Sequence, residues 1–207
     1  MEHVFAFECL NDSQRKAREV YQKHDIIFMM GASGSGKSFL STAFALEDIK
    51  SKAKDSLIIC RPAVEAGEHL GFLPGGPEEK LEPYMLPIKD GLDKLLGKEG
   101  PLRERFDKKV TVRPLAYMRG LTFTNSVCIL DEAQNATLPQ IKMFLTRMGK
   151  GSKMIVAGDE TQTDLARGSG LVEAMKRLSG VKGIGIVKFT EEAVVRHPLV
   201  VEVIKRL

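Results

Sequence analysis

Tryptophan is absent from this 207-residue chain and aromatic residues make up only 6% of it, which argues against a broad base-stacking platform for nucleic acid. Cysteine is nearly as sparse. Cys9, Cys60 and Cys128 cannot pair completely, and no two of them stand in C-x-x-C spacing. Two lie inside apolar runs, Leu57–Cys60 and Val127–Leu130, where a thiol serves as a small buried hydrophobe in a reducing compartment. The four histidines, His3, His24, His69 and His197, make no ligand spacing with one another or with cysteine, so no zinc is expected. No apolar stretch reaches the length of a membrane span. Met1–Leu10 carries Glu2 and Glu8 and lacks the layout of a signal peptide. A strong charge bias is missing too: 31 Lys and Arg stand against 27 Asp and Glu, and the net +4 is too small to declare a nucleic-acid partner by itself. Length and composition fit one soluble domain over residues 1–207, with no membrane partner.

The apolar pattern alternates between short runs and helical periodicity. Runs at Ile26–Met30, Leu57–Cys60, Val127–Leu130, Met154–Ala157 and Ile184–Val187 read as strands buried on both faces, and Val110–Arg113 as a weaker sixth. Between them, Ala17, Val20, Tyr21 and His24 share one face of a helix starting near Asn11. Leu138, Ile141, Leu145 and Met148 share another, with Thr137 and Gln140 at capping-box spacing. Leu171, Met175 and Leu178 continue the scheme, and Val200, Val203, Ile204 and Leu207 close the chain helically. Such alternation implies an α/β fold with a mostly parallel sheet of five or six strands and helices on both faces. From Arg61 to Lys80, four glycines and three prolines suggest a long functional loop.

Gly31-Ala32-Ser33-Gly34-Ser35-Gly36-Lys37-Ser38 matches GxxxxGK[ST] in full, after an apolar run and before the helix-compatible Phe39–Ile49. Glycines let backbone N–H groups turn inward around phosphate oxygens, and the following helix presents its positive end. Lys37 would reach the β- and γ-phosphates of ATP, and the Ser38 hydroxyl would bind Mg2+. A flexible Gly/Ser turn with an incidental lysine is the bland alternative, and the flanking strand and helix weigh against it. Farther on, the run ending Leu130-Asp131-Glu132 has the Walker B form. Asp131 would hold the metal's hydration shell, and Glu132 would orient or deprotonate the attacking water. The run Met154–Ala157 leads into Gly158-Asp159-Glu160-Thr161-Gln162, where Gln162 is the candidate γ-phosphate sensor. For Asp159 and Glu160 a solvated turn remains a reasonable reading. Gln14 is balanced between completing a helix cap and reading the adenine edge. Arg61, Arg119 and Arg196 each stand beside apolar segments, where a structural salt bridge is the default. Near the Walker motifs the sequence offers no obvious second cation besides Lys37.

Taken together, these strings resemble the PhoH family, a compact relative of the superfamily 1 helicase motor core. The likeness covers nearly the whole chain. It rests on Leu10–Ala17, Gly31–Ser38, Arg61–Glu68 with Leu70–Gly75, Pro114–Thr122, Leu130–Asn135, Gly158–Asp164 and Arg196–Val200. It implies a RecA-like P-loop ATPase using ATP and Mg2+ in the cytoplasm, bacterial or, for a phage-encoded chain, that of the host. By the same resemblance Gln14 is an adenine-reading glutamine, and Gln134 and Gln162 contact the γ-phosphate or its water. Arg196 becomes an arginine-finger candidate supplied across a subunit boundary in a homo-oligomeric ring, a hexamer among the candidate sizes. Some relatives are linked to RNA unwinding, so single-stranded RNA or DNA is a candidate partner, gripped by the Arg61–Lys80 loop and Arg119. Many relatives carry a second arginine where Leu121 stands here. A nucleotide-gated binding module is the other rival. A small-molecule kinase ranks last, because the acid pair Asp131-Glu132 suits water activation better.

Overall fold

The computed structural model describes residues 7–62, 77–162, 169–189 and 206, with side chains of the helix beginning at Pro77 described from Met85 onward. Six strands form one sheet: β1 Ile26–Met30, β2 Ser56–Arg61, β3 Val110–Pro114, β4 Ser126–Leu130, β5 Lys153–Gly158 and β6 Ile184–Lys188. Their order is β3-β2-β4-β5-β1-β6 and every pairing is parallel. The six runs therefore form strands where predicted, but Ile184–Val187 is not buried on both faces, because β6 is an edge strand like β3 and both are only partly buried. Alternate side chains enter two separate cores. Ile27, Met29, Leu57, Ile59, Val127, Ile129, Ile155 and Ala157 pack on one face. Phe28, Met30, Ile58, Cys60, Cys128, Leu130, Met154 and Val156 pack on the other.

Helices α1 (Asp12–Lys23), α2 (Lys37–Lys50), α3 (Pro77–Leu96) and α4 (Pro101–Asp107) contribute to the first core, and α5 (Leu138–Leu145) and α6 (Gly170–Leu178) to the second. Asn11 caps α1 by accepting the Gln14 N–H at 3.0 Å. The capping box at Thr137 is present, with Gln140 Oε1 accepting the Thr137 N–H at 2.8 Å. Three expectations change. Helix α5 ends at Leu145, so Met148 lies past it and bridges Phe123 in extended form. The stretch Arg61–Lys80 is not loop throughout, since Arg61 closes β2 and Pro77–Lys80 already belong to α3. Helices α3 and α4 themselves escape the apolar periodicity, because Pro83, Pro87 and Gly91 interrupt α3 with residues that normally disfavour helix. The closing helix expected over Val200–Leu207 lies outside the described residues, apart from Arg206, which is helical.

This topology creates a crevice. The chain leaves β1 and β2 for helices on the first face, and leaves β4 and β5 for helices on the second. At the neighbouring pairs β1/β5 and β2/β4 it therefore diverges just beyond the carboxyl ends of the strands, the place where open α/β sheets hold ligands.

Candidate nucleotide site

Gly31–Ser38 connects β1 to α2. Gly36 is the N-cap of α2 with φ 86°, a left-handed conformation open to glycine at little cost, and no side chain caps the helix. The opening N–H groups of α2 thus turn toward the loop, at the positive end of the helix. Lys37 is 8% exposed. Its Nζ folds back to donate to the carbonyls of Gly31 at 2.6 Å and Ala32 at 2.9 Å and to the Ser35 hydroxyl at 3.3 Å. The ammonium is held by neutral acceptors in the mouth of the loop, and phosphate oxygens would bind it more strongly.

The second half comes from β4. Asp131 follows its last residue and is 2% exposed. Its Oδ1 accepts the Ser38 hydroxyl at 2.5 Å. Its Oδ2 accepts Arg61 Nε at 2.8 Å and lies 2.6 Å from Arg61 Nη2. Arg61 is the salt-bridged arginine its position predicts, and it is also the second cation that the sequence did not reveal. Nη2 reaches Glu132 Oε1 as well, at 3.6 Å. Glu132 has φ 52°, and its other oxygen, Oε2, accepts Gln134 Nε2 at 2.6 Å.

A third strand closes the arrangement. Gln134 Oε1 accepts the Asp159 N–H at 3.0 Å, just past Gly158. A Cβ on Gly158 would stand 2.8 Å from Gln134 Oε1 and 2.6 Å from Leu171 Cδ2, so a larger residue here would push both side chains aside. Asp159 is 2% exposed. Its Oδ2 accepts the Ser33 N–H of the phosphate loop at 2.8 Å, and its Oδ1 accepts the Thr161 N–H at 2.9 Å and hydroxyl at 2.6 Å. Asp159 is therefore not a solvated turn residue, whereas Glu160 is exposed as that reading expects.

Other candidates are placed less centrally. Gln162 is exposed in the turn beyond β5, with its N–H 3.4 Å from the Asp159 carbonyl. Gln14 is 4% exposed. Its Oε1 accepts the Leu10 N–H at 2.8 Å, one residue short of the capping-box partner, and its Nε2 faces Gly36, 3.6 Å from where a Cβ would lie. Arg119 is exposed, and Arg196 lies outside the described residues.

A cavity of about 260 Å³ joins the phosphate loop to the strand ends, and none of Gln14, Gln134 and Gln162 lines it. Ser33, Gly36, Lys37 and Ser38 line it with Arg61, Asp131, Glu132 and Asp159, and α3 covers one side through Pro87, Ile88, Gly91 and Lys94. Among the described residues no group of three or more His, Cys, Asp or Glu could hold a metal alone. Ser38 Oγ and Asp131 nevertheless supply adjacent hard oxygen donors. That set suits Mg2+, which keeps most of its waters and shares its remaining positions with phosphate. Nor is any helix of the described residues long and apolar enough to cross a membrane.

A parallel sheet with a GxxxxGK[ST] loop after one strand and an Asp-Glu pair after another defines a RecA-like P-loop NTPase fold. Among solved structures, the Sulfolobus solfataricus SWI2/SNF2 ATPase core in complex with dsDNA shares this fold. It has a TM-score of 0.50 at 15% identity, over 76% of this chain and 34% of that one. Residues 7–207 match the family described as PhoH-like protein, and this chain belongs to the PhoH family. The PhoH-like protein of Bacillus subtilis (strain 168) is 45% identical over 194 residues, covering 93% of this chain and 61% of the relative. That of Synechocystis sp. (strain ATCC 27184 / PCC 6803 / Kazusa) is 47% identical over 196 residues, covering 93% and 59%. The chain thus spans about three fifths of the length of these relatives.

Proposed function

We propose that this chain binds ATP together with Mg2+ and hydrolyses it to ADP and phosphate. One observation carries the reading: Lys37, Ser38, Asp131 and Glu132 converge from two strands on one cavity, and Ser38 and Asp131 are already in contact at 2.5 Å. Lys37 can exchange its carbonyl partners for β- and γ-phosphate oxygens, whose charge makes them stronger acceptors than a carbonyl. The Ser38 hydroxyl and Asp131 would hold Mg2+, which when bound supplies charge to the phosphate oxygens. Glu132, held at Oε2 by Gln134, would orient a water and accept its proton, a contribution of about 10²–10⁴ in rate. Gln14 is our candidate reader of the adenine edge, Gln162 remains a candidate γ-phosphate sensor, and Gln134, expected as a contact to the γ-phosphate or its water, would act there through Glu132.

The wider reading is a domain over residues 1–207 working in the cytoplasm within a homo-oligomeric ring, with Arg196 of one subunit serving the site of the next. A nucleic-acid-driven motor ranks below simple hydrolysis. Of the groups offered for gripping a strand, Arg119 is exposed and Arg61 is engaged by Asp131, while 63–76 of the loop lie outside the described residues.

Lys37→Ala is the direct test, read by calorimetric titration with ATP and by phosphate release. It is expected to weaken binding strongly and nearly abolish turnover while the circular dichroism spectrum is kept. A folded Lys37→Ala protein with wild-type turnover would overturn the assignment.

A further inference from the structure

Arg61 joins β2 to the end of β4, and its two partners are not equivalent to an ordinary strand-to-strand ion pair. One guanidinium lies 2.6 Å from Asp131 and 3.6 Å from Glu132, the two carboxylates at the heart of the cavity. Its side chain is 15% exposed and that of Asp131 3%, so water screens the pair weakly. Both oxygens of the Asp131 carboxylate are engaged by protein. Oδ2 receives Arg61, and Oδ1 receives the Ser38 hydroxyl. Oδ2, with two N–H contacts, has no lone pair left for a metal-bound water, whereas Oδ1 keeps one.

Resting on the nucleotide-site reading above, we infer that Arg61 makes metal binding conditional on nucleotide. Its positive charge neutralises Asp131 and Glu132 in the empty site, so that these carboxylates do not recruit a divalent cation by themselves. The cation is admitted only with a triphosphate, whose oxygens supply the missing ligands and charge. Arg61 here is a positioning residue that acts through Asp131 and Glu132. A purely structural role, tying β2 to β4, makes the opposite prediction. In that case loss of Arg61 leaves Asp131 less ordered and a metal no better bound.

The experiment uses the full chain without nucleotide and titrates Mn2+ alone, following free Mn2+ by electron paramagnetic resonance. Wild-type protein is expected to bind Mn2+ only weakly. Arg61→Ala should bind it at least about tenfold more tightly, a modest part of the repulsion a guanidinium exerts on a divalent ion a few ångströms away. Arg61→Lys restores a cation and should return toward the wild-type value. Arg61→Ala combined with Asp131→Asn should lose the gain, which locates it in this site. Arg61→Gln replaces Arg61→Ala if the latter fails to fold by circular dichroism. Equal or weaker Mn2+ binding by the folded neutral variants overturns the inference, and so does an equal gain in Arg61→Lys. ATP binding by the wild type is measured separately, so failure of the nucleotide reading is distinguishable from failure of this one.

Discussion

Replacing Asp159 tests whether the end of β5 holds the phosphate loop. The carboxylate is 2% exposed and accepts three donors: the Ser33 N–H, the Thr161 N–H and the Thr161 hydroxyl. Hydrogen bonds to a charged group contribute roughly 1.5–3 kcal/mol each. Ser33 and Thr161 are both exposed and their freed donors can rehydrate, which brings each loss toward about 1 kcal/mol. Asp159→Ala is therefore expected to cost about 3 kcal/mol in total. For a domain of this size that lowers the thermal midpoint by roughly 6–12 °C. Asp159→Asn keeps one acceptor oxygen and should lose about half as much. Thermal and urea unfolding followed by circular dichroism give the stability, and ATP titration shows whether loosening at Ser33 also weakens binding. A loss below about 0.5 kcal/mol for Asp159→Ala, within the range of ordinary surface substitutions, would show that the carboxylate is not holding the loop.

Three further outcomes are expected. Glu132→Gln should bind ATP as the wild type does yet release phosphate about 10²–10⁴ times more slowly, and normal single-turnover hydrolysis would move the base elsewhere. Gln14→Ala should erode the preference for ATP over GTP in competition binding and cost about 1 kcal/mol through the lost Leu10 contact. A lower thermal midpoint with unchanged base preference would leave only the cap. Burial pushes the Cys128 thiol up to about 12 and Cys60 well above its ordinary value, so iodoacetamide at pH 8 should label only Cys9 in the native protein and all three cysteines in denaturant. Mass spectrometry checks this, and rapid native labelling of Cys60 would contradict its burial.

The four inner strands were legible because each is a run of apolar residues bounded by turn formers, and a strand buried on both faces needs little else, whereas the edge strands β3 and β6 are only partly buried. The phosphate loop and Asp131-Glu132 were legible because their chemistry depends on spacing within a few residues. What escaped depends on contacts between distant segments. Arg61 and Asp131 lie 70 positions apart, and Ser33 and Asp159 lie 126 apart. Only the strand order brings either pair together. No local pattern distinguishes Asp159 from the exposed Glu160 beside it. Helix α3 was hidden for a different reason: its prolines and Gly91 read as loop chemistry, yet packing of Met85, Ile88, Leu92, Leu95 and Leu96 against the first core outweighs their cost. Gln134 stood out only through resemblance to a family, since a lone glutamine after an acid pair carries no local signature.

The link from Glu132 through Gln134 to the backbone of Asp159, and from the Asp159 carboxylate to Ser33, spans two strand ends and the phosphate loop. Its middle member is an amide. The Asp159 N–H fixes Gln134 Oε1 as acceptor, and that leaves Nε2 to donate to Glu132. An amide held this way can pass on a displacement, but it cannot relay a proton. A rearrangement of the loop around a triphosphate is therefore communicated to Glu132 as a change of position and not of charge. On the proposed chemistry, a proton taken by Glu132 has no exit through the interior along this line. It must leave from the side of Glu132 that faces the cavity, whose carboxylate side chain is 45% exposed. The route that sets the base in place is thus separate from the route that resets it, and the rate of resetting depends on how open the cavity is beneath α3.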